Sequence, residues 1–407
     1  MSFVEPVEAL GAGESSPHSA VPGLLRELNE RTVYDLLAQF GATSRAELSR
    51  RTGMSKPTVS LAVRNLELDG LVTEVGVESG RPGRSGVLYA ANPTAGQAIA
   101  VDVGARWVRC AVCDLSGEHL TRAEARLTSR RTDRIIDAVV QVVDEATRAA
   151  GRPAESLRTA VVGSPGVVHP DTNRLTQVGV LESLEGVDLG ARLCERLRVP
   201  VTVHNDVNLV AIAEQSAGFG RDIDDFAVVS VGSGLGAGLV LGGRLHRGHR
   251  GNAGEIDDVP FRHLGIAGPP IDPSGEGVVG LAWSRATAPD ESLALVAEAA
   301  DVFALAADGD AGAMAVIDTL GHWVAWHVAT LTAVLDLGLV VLAGGIGASP
   351  ALLGPVREHL AALVPHPPQV ESSALGGAAV VTGALALARE ATIDRIFELR
   401  TGKVSAS

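Results

Sequence analysis

The sequence predicts a mixed α/β chain in which a small winged helix-turn-helix module precedes a larger body of alternating strands and helices. Two observations carry this. Between Ser44 and Leu68 lie two short amphipathic stretches, each opened by a serine, with a turn containing Gly53 between them. From Gly96 onward, short apolar runs end repeatedly in Gly-rich turns and alternate with segments of helical periodicity.

At 407 residues the chain has room for two or three domains. Apolar residues make up 46% of it, enough to bury real cores, yet no run approaches the ~18 apolar residues of a membrane span. The opening MSFVEPVEALGAGESSPHSAVPG has no basic start followed by an apolar core, so no secretory signal is expected and a cytoplasmic location is. Cys110, Cys113 and Cys194 make no disulfide framework. The Cys110/Cys113 spacing looks like half of a zinc site, but the stretch alternates like a strand and no second pair completes four ligands. These two thiols read as small buried hydrophobes, and no metal or cofactor is expected. The net charge of −14 excludes a chain that coats nucleic acid indiscriminately. Its distribution is uneven: residues 44–64 carry +4, from Arg45, Arg50, Arg51, Lys56 and Arg64 against Glu47, leaving −18 on the remainder. One small basic element accompanies an acidic body.

Taken in order, residues 1–23 are rich in Gly, Ser, Pro and Glu and read as a disordered tail. A DNA-binding module is expected over 24–93. Its first helix starts at Asn29, with Val33, Leu36, Leu37 and Phe40 on one face, and Gly41 ends it. Ser44 with Glu47 makes a capping box, Gly53 stops that helix, and Ser55 caps the next, with Pro57 in its first turn. Val59, Ala62, Val63 and Leu66 form the inner face of this second helix. Ser55, Lys56, Thr58, Ser60, Arg64 and Asn65 are left outside, a set that suits base edges and phosphates in a major groove. GLVTEVG and SGVLYAAN follow as two strands of a wing. Arg81 and Arg84, flanking Pro82-Gly83, make a cationic tip suited to an A·T-rich minor groove. The plain alternative is a helical hairpin used for protein contacts, but caps, turn, charge and wing agree on the first reading.

In the body, AIAVDVGARWVRCAVCDLSGEHL reads as two strands turning at Gly104, and VPVTVHNDVNLVAIAEQSAG as a strand, Asn205-Asp206, then a helix. Glu255, Asp257 and Asp258 crowd one turn, so they face water or share a polar ligand or cation. Single Gly-rich turns say little. Their series says more: Asp-x-Gly at 102–104, Gly-x-Pro-Gly at 163–166, Asn-Asp at 205–206, Gly-x-Gly-x-Gly at 232–236, Gly-Glu-Ile at 254–256 and Gly-Gly-Ile-Gly at 344–347.

In that order the motifs resemble the ROK family (repressor, open reading frame, kinase), a branch of the actin-like ATPase and sugar-kinase fold, over about Gly96 to Arg389. The winged module ahead of it resembles the family's xylose and N-acetylglucosamine repressors. The resemblance implies a two-lobed body: one lobe over 94–214 with helix 376–391 packing back on it, a second over 215–375, and a tail at 392–407. In family kinases the Asp of Asn-Asp takes the proton from the sugar hydroxyl, so Asp206 holds the position of that base and Asn205 stands beside it. Asp206 also suits plain sugar recognition, or capping of the helix beginning near Asn208. Glu255 matches a second sugar-hydroxyl acceptor. Active members carry Asp-x-Gly-Gly-Thr at the first phosphate turn; here Ala105 and Arg106 replace Gly-Thr. Gly104, Gly232, Gly234, Gly236, Gly344 and Gly345 are then vestiges of nucleotide loops. The family's Gly-Glu-Ile-Gly-His continues into a cysteine-rich zinc loop. Here Asp258 replaces that His, and the following segment has His263 but no cysteine. Asp258 either accepts a sugar hydroxyl in its place or marks a drifted pocket.

Three functions are consistent with this. The leading one is a repressor of carbohydrate genes that binds a near-palindromic DNA operator as a homodimer or homotetramer and senses a sugar or sugar derivative, with no catalysis and no membrane partner. The second is a sugar kinase with a DNA-binding appendage. The third is a regulator answering to another ligand or to a protein partner.

Overall fold

The computed structural model describes residues 20–78, 86–152, 156–259, 272–288 and 291–401. The chain divides into two compact units: residues 1–95 together with 394–407, and residues 96–393.

In the first unit, α1 (Ala20–Phe40) leads to β1 (Thr43–Ser44), α2 (Arg45–Thr52), α3 (Lys56–Leu68), β2 (Val72–Val77) and β3 (Val87–Ala91). The strands form one sheet in the order β1-β3-β2. The helix pair closes at the expected caps, but only half of the Ser44/Glu47 capping box forms, because the Glu47 carboxylate turns to Arg50 and Arg51. Ser44 accepts from the Glu47 amide, Gly53 adopts φ 69°, and Ser55 accepts from the Thr58 amide. Leu48, Val59, Val63 and Leu66 are fully buried beneath them. α1 begins nine residues before the expected Asn29. Leu24, Leu25 and Leu28 are exposed there, so no apolar periodicity marks the extra turns. Phe40, expected on the inner face, is also exposed, with the Arg51 guanidinium 4.2 Å from its ring; Tyr34 is buried instead.

The second unit holds two five-stranded sheets of one plan. In the first, β4 (Gln97–Val103), β5 (Trp107–Asp114) and β6 (His119–Arg126) form an antiparallel meander. After α4 (Thr132–Ala149), β7 (Leu157–Ser164) pairs parallel to β4. The small hairpin β8 (Val167–Val168) and β9 (Leu175–Thr176) and helix α5 (Leu189–Leu197) lead to β10 (Val201–Asn205), parallel to β7. α6 (Asp206–Ala217) follows directly. The second sheet repeats this: β11 (Phe226–Val231), β12 (Leu235–Leu241) and β13 (Arg244–His246) form the meander. After α7 (Gly275–Arg285), α8 (Ala299–Ala307) and α9 (Ala311–Leu335), β14 (Leu339–Ala343) pairs parallel to β11. The short α10 (Gly344–Gly347) and α11 (Pro350–Leu363) precede β15 (Gln369–Ser372), parallel to β14.

α6 serves both sheets. Leu209 packs with Ala98, Ala100 and Val161 of the first, and Val210 and Ala211 pack with Phe226, Val228 and Val240 of the second. The N-terminus of α6 is thereby fixed where the two sheets meet. α12 (Ala379–Thr401) lays Val381, Ala384, Leu385 and Ala388 on the first sheet. Gly383 lies so close to α6 that a Cβ there would stand 1.9 Å from the Leu209 carbonyl oxygen. The expected tail at 392–407 is helical as far as Thr401. Ile393 and Phe397 are buried, which holds these last turns in place.

Candidate functional site

A cleft of about 880 Å³ lies between the two sheets of the second unit, lined by Asp102, Arg109, Asn205, Asp206, Glu255 and the Gly-rich turns. Three carboxylates converge on it from separate elements. Asp102 is the penultimate residue of β4, Asp206 opens α6, and Glu255 precedes a short turn at Ile256–Asp258.

Each is placed by local chemistry. Asn205 is the N-cap of α6: its Oδ1 accepts from the Asn208 amide at 3.0 Å, while its Nδ2 donates to the Gly166 carbonyl at 3.0 Å. Both ends of that amide hold the scaffold, so capping belongs to Asn205 and not to Asp206. Asp206 Oδ1 accepts from the Val207 amide at 2.8 Å. Gly254 puts Glu255 on the cleft wall. Its φ of +99° and a would-be Cβ 1.8 Å from the Ala237 carbonyl oxygen admit no side chain, and its own carbonyl accepts from the Ala237 amide at 2.7 Å. Beneath this turn lies buried His327 of α9. Burial pushes its imidazole down to about 4, opposed by the Ile256 backbone.

The electrostatics follow from crowding. Burial pushes the Asp206 carboxyl up to about 7, with Asp102 and Glu255 adding to the shift and the Val207 amide opposing it. Burial also raises Asp102, against the pull of Arg109, whose guanidinium sits 3.3 Å away. Glu255 is raised by burial, then by Asp258 and Asp257. Asp258 and Asp257 are themselves exposed and are not part of the cleft wall. Closeness in sequence to Glu255 put Asp258 among the candidates; the turn directs it elsewhere, and it acts on the site through its charge.

The Gly-rich turns expected as vestigial nucleotide loops border the same cleft. Gly104, Gly232, Gly234, Gly236, Gly344 and Gly345 all line the cleft. Gly344 is required by its backbone, with φ +83° and a would-be Cβ 2.4 Å from the Val231 carbonyl oxygen. Arg106 does not crowd them: it is exposed and stands 3.9 Å from Glu298. Arg109, beside Asp102, is a cleft cation that the motif reading passed over. Cys110 and Cys113 are buried in β5, where burial pushes the thiols up to about 12 and about 11, and Cys194 lies on α5. The cysteines therefore stand apart from the turn at 254–258. His263 lies outside the described residues.

On the first unit, α3 presents Ser55, Lys56, Thr58, Ser60 and Arg64. Ser55 is occupied as the cap, and its hydroxyl also pairs with that of Thr58 at 2.8 Å. Three of the five basic residues are engaged: Arg50 and Arg51 pair with Glu47, and Arg45 covers the Tyr89 ring at 4.6 Å. Lys56 and Arg64 are exposed, without an ion-pair partner among the described residues. Asn65 is not free, because its amide donates to Glu30 Oε1 at 2.7 Å. Leu61 is 53% exposed on α3, an apolar side chain that the amphipathic pattern gave no reason to single out. Arg81 and Arg84 lie outside the described residues.

Residues 98–391 match the model of the ROK family, and residues 26–73 match a winged helix-turn-helix DNA-binding model. The DNA-binding transcriptional dual regulator NagC of Escherichia coli is 28% identical over 60% of this chain and 59% of its own length. The chain thus spans about three fifths of the length of the curated relatives it matches. A solved ROK family transcriptional regulator, a homologue of E. coli MLC protein, superposes with TM-score 0.76 over 93% of this chain and 100% of its own, at 23% identity. A ROK family glucokinase from Streptomyces griseus, solved with glucose and AMPPNP, gives TM-score 0.62 over 72% of this chain and 100% of its own, at 26% identity. Among the described residues no helix is long and apolar enough to cross a membrane. On the match that spans both sheets of its body, this chain belongs to the ROK family.

Proposed function

We propose that the chain is a sequence-specific DNA-binding transcriptional regulator, a repressor of carbohydrate-related genes, whose body senses a sugar or sugar derivative. The observation that carries this is the outer face of α3, where Lys56 and Arg64 stand exposed on a rigidly capped helix without an ion-pair partner among the described residues. A capped helix with cations and short hydroxyls outward is what phosphate positioning and base-edge reading require. Lys56, Thr58, Ser60 and Arg64 are assigned to that contact, with Ser55 as its cap and with Arg81 and Arg84 on the wing. Leu61 adds an apolar contact suited to a thymine methyl. Two copies on a near-palindromic operator, as a homodimer or homotetramer, follow from half-site geometry.

In the cleft, Asp206 and Glu255 accept hydroxyls of the ligand, and Asn205 holds the helix that presents Asp206. A volume of about 880 Å³ suits a small polyhydroxyl molecule. Because a ligand moves an equilibrium only through its differential affinity, operator release depends on the sugar binding one state of the regulator better than the other. The curated relatives support this reading, since NagC is named as a transcriptional regulator. Thermal shift of the purified chain against a sugar library tests the cleft: a ligand held by the folded state raises the melting temperature, and silence across hexoses, pentoses and their N-acetyl and phosphate derivatives would leave it without a sugar function.

Two observations favour a second reading, a sugar kinase with a DNA-binding appendage. Asp206 near 7 is poised as a general base, and Arg106 leaves the first phosphate turn open. A coupled assay with ATP, magnesium and the same sugars separates the two. The regulator reading expects no turnover above background.

A further inference from the structure

The DNA-reading unit is not made of N-terminal residues alone: Asp394–Thr401 of α12 complete it. Phe397 meets Tyr34 edge to face, with ring centroids 5.7 Å apart, and Arg31 reaches Asp394 at 2.5 Å. At the last turn Arg400 Nη2 meets two carboxylates, 2.9 Å from Glu30 and 2.5 Å from Asp69. Glu30 is buried, its side chain 7% exposed, and its other oxygen accepts from Asn65 at 2.7 Å. Asn65 lies on α3 and Asp69 is the residue that ends it. The C-terminal end of the helix that faces DNA is therefore held by one arginine from the other end of the chain.

We infer that Arg400 is a positioning residue for DNA reading: through Glu30, Asn65 and Asp69 it fixes where α3 lies. This rests on the DNA-binding function proposed above. A buried carboxylate needs its charge partner, and here one guanidinium nitrogen supplies the charge to Glu30 and Asp69 together. Base reading by paired hydrogen bonds tolerates displacements of roughly 0.5 Å, whereas the counterion-release part of binding depends on how many phosphates are neutralised and hardly on their exact placement. Loosening the clamp must then cost sequence preference before it costs overall attraction to DNA.

The test uses the full-length chain and a duplex it enriches from a randomised pool, with an unselected duplex of equal length for comparison. Arg400→Gln should weaken binding to the selected duplex about tenfold, leave the unselected duplex within about twofold, and keep the salt slope unchanged. Arg400→Lys should recover part of the loss. The double variant Arg400→Gln/Glu30→Gln should lose little more than the worse single one, because both break one network. Each variant is measured well below its own unfolding midpoint, and if Arg400→Gln does not fold, Glu30→Gln, which keeps an acceptor for Asn65, carries the comparison. Equal losses on both duplexes, fully additive losses, or a salt slope reduced by about one in Arg400→Gln (a phosphate contact by Arg400 itself) would each overturn the assignment. If the unaltered chain enriches no duplex, it is the DNA-binding reading that fails, and this one falls with it.

Discussion

Replacing Asp206 by asparagine should make the body more stable above pH 7 and at the same time weaken its hold on ligand. Burial and the neighbouring Asp102 and Glu255 push this carboxyl from 3.8 up to about 7. Between those values the folded chain keeps a proton that the unfolded chain has released, so stability falls as pH rises from about 4 to about 7 and is level above that. Three pH units correspond to a ceiling of about 4 kcal/mol. Asp206 borders an open cleft, and solvent screening brings the expected cost to about 1–2 kcal/mol. Asparagine keeps the acceptor for the Val207 amide and removes the charge. His204 and His327, both pushed down to about 4 by burial, act in the opposite direction: the stability they confer is lost as pH falls from 6.5 towards 4. They are common to both proteins, so the difference between wild type and Asp206→Asn isolates the carboxylate. Urea unfolding followed by fluorescence reads the body selectively, because Trp107, Trp283, Trp323 and Trp326 all lie in it. The variant should match wild type near pH 4 and unfold at higher urea by pH 8. A gap that does not change with pH, or a variant less stable at pH 8, would mean that burial does not hold a proton on Asp206.

Other outcomes follow from the same geometry. Glu255→Gln should cost roughly 1.5–3 kcal/mol of ligand binding, about tenfold to more than a hundredfold, while DNA affinity without ligand stays unchanged; calorimetry and gel shift read the two halves. Arg64→Ala should lower the salt slope of DNA binding by about one, and Leu61→Ala or Ser60→Ala should alter base preference more than overall affinity, checked on mutated duplexes. Arg81→Ala with Arg84→Ala should weaken DNA binding and flatten its salt dependence, and an unchanged slope would reject the wing assignment. Gly383→Ala should destabilise the body by about 1–3 kcal/mol, seen in its unfolding midpoint, because the added methyl meets the Leu209 carbonyl across two packed helices.

Local rules were legible in the sequence and distant pairings were not. Ser44, Gly53 and Ser55 announce their helix ends because capping is settled within a few residues. The early turns of α1 and the last turns of α12 are helical against expectation. Leu24, Leu25 and Leu28 face outward, and Phe397 finds its partner Tyr34 more than 350 positions away, which no periodicity reveals. The same holds in the cleft. The order of motifs brought Asp206 and Glu255 forward, and both line one cleft. Capping of the helix is one reading of Asp206; the backbone gives that task to Asn205. Asp258 shares a turn with Glu255 but not a direction. Arg109 carries no motif, since only the pairing of β4 with β5 sets it opposite Asp102.

Control of the DNA-reading unit by a sugar in the body is read by titrating the full-length chain onto its selected duplex with and without the sugar that most raises its melting temperature. The sugar should change duplex affinity at least several-fold, and Asp206→Ala and Glu255→Ala should bind the duplex as wild type does but no longer respond. An identical response in both variants, or duplex affinity indifferent to a sugar that demonstrably binds, would contradict such control.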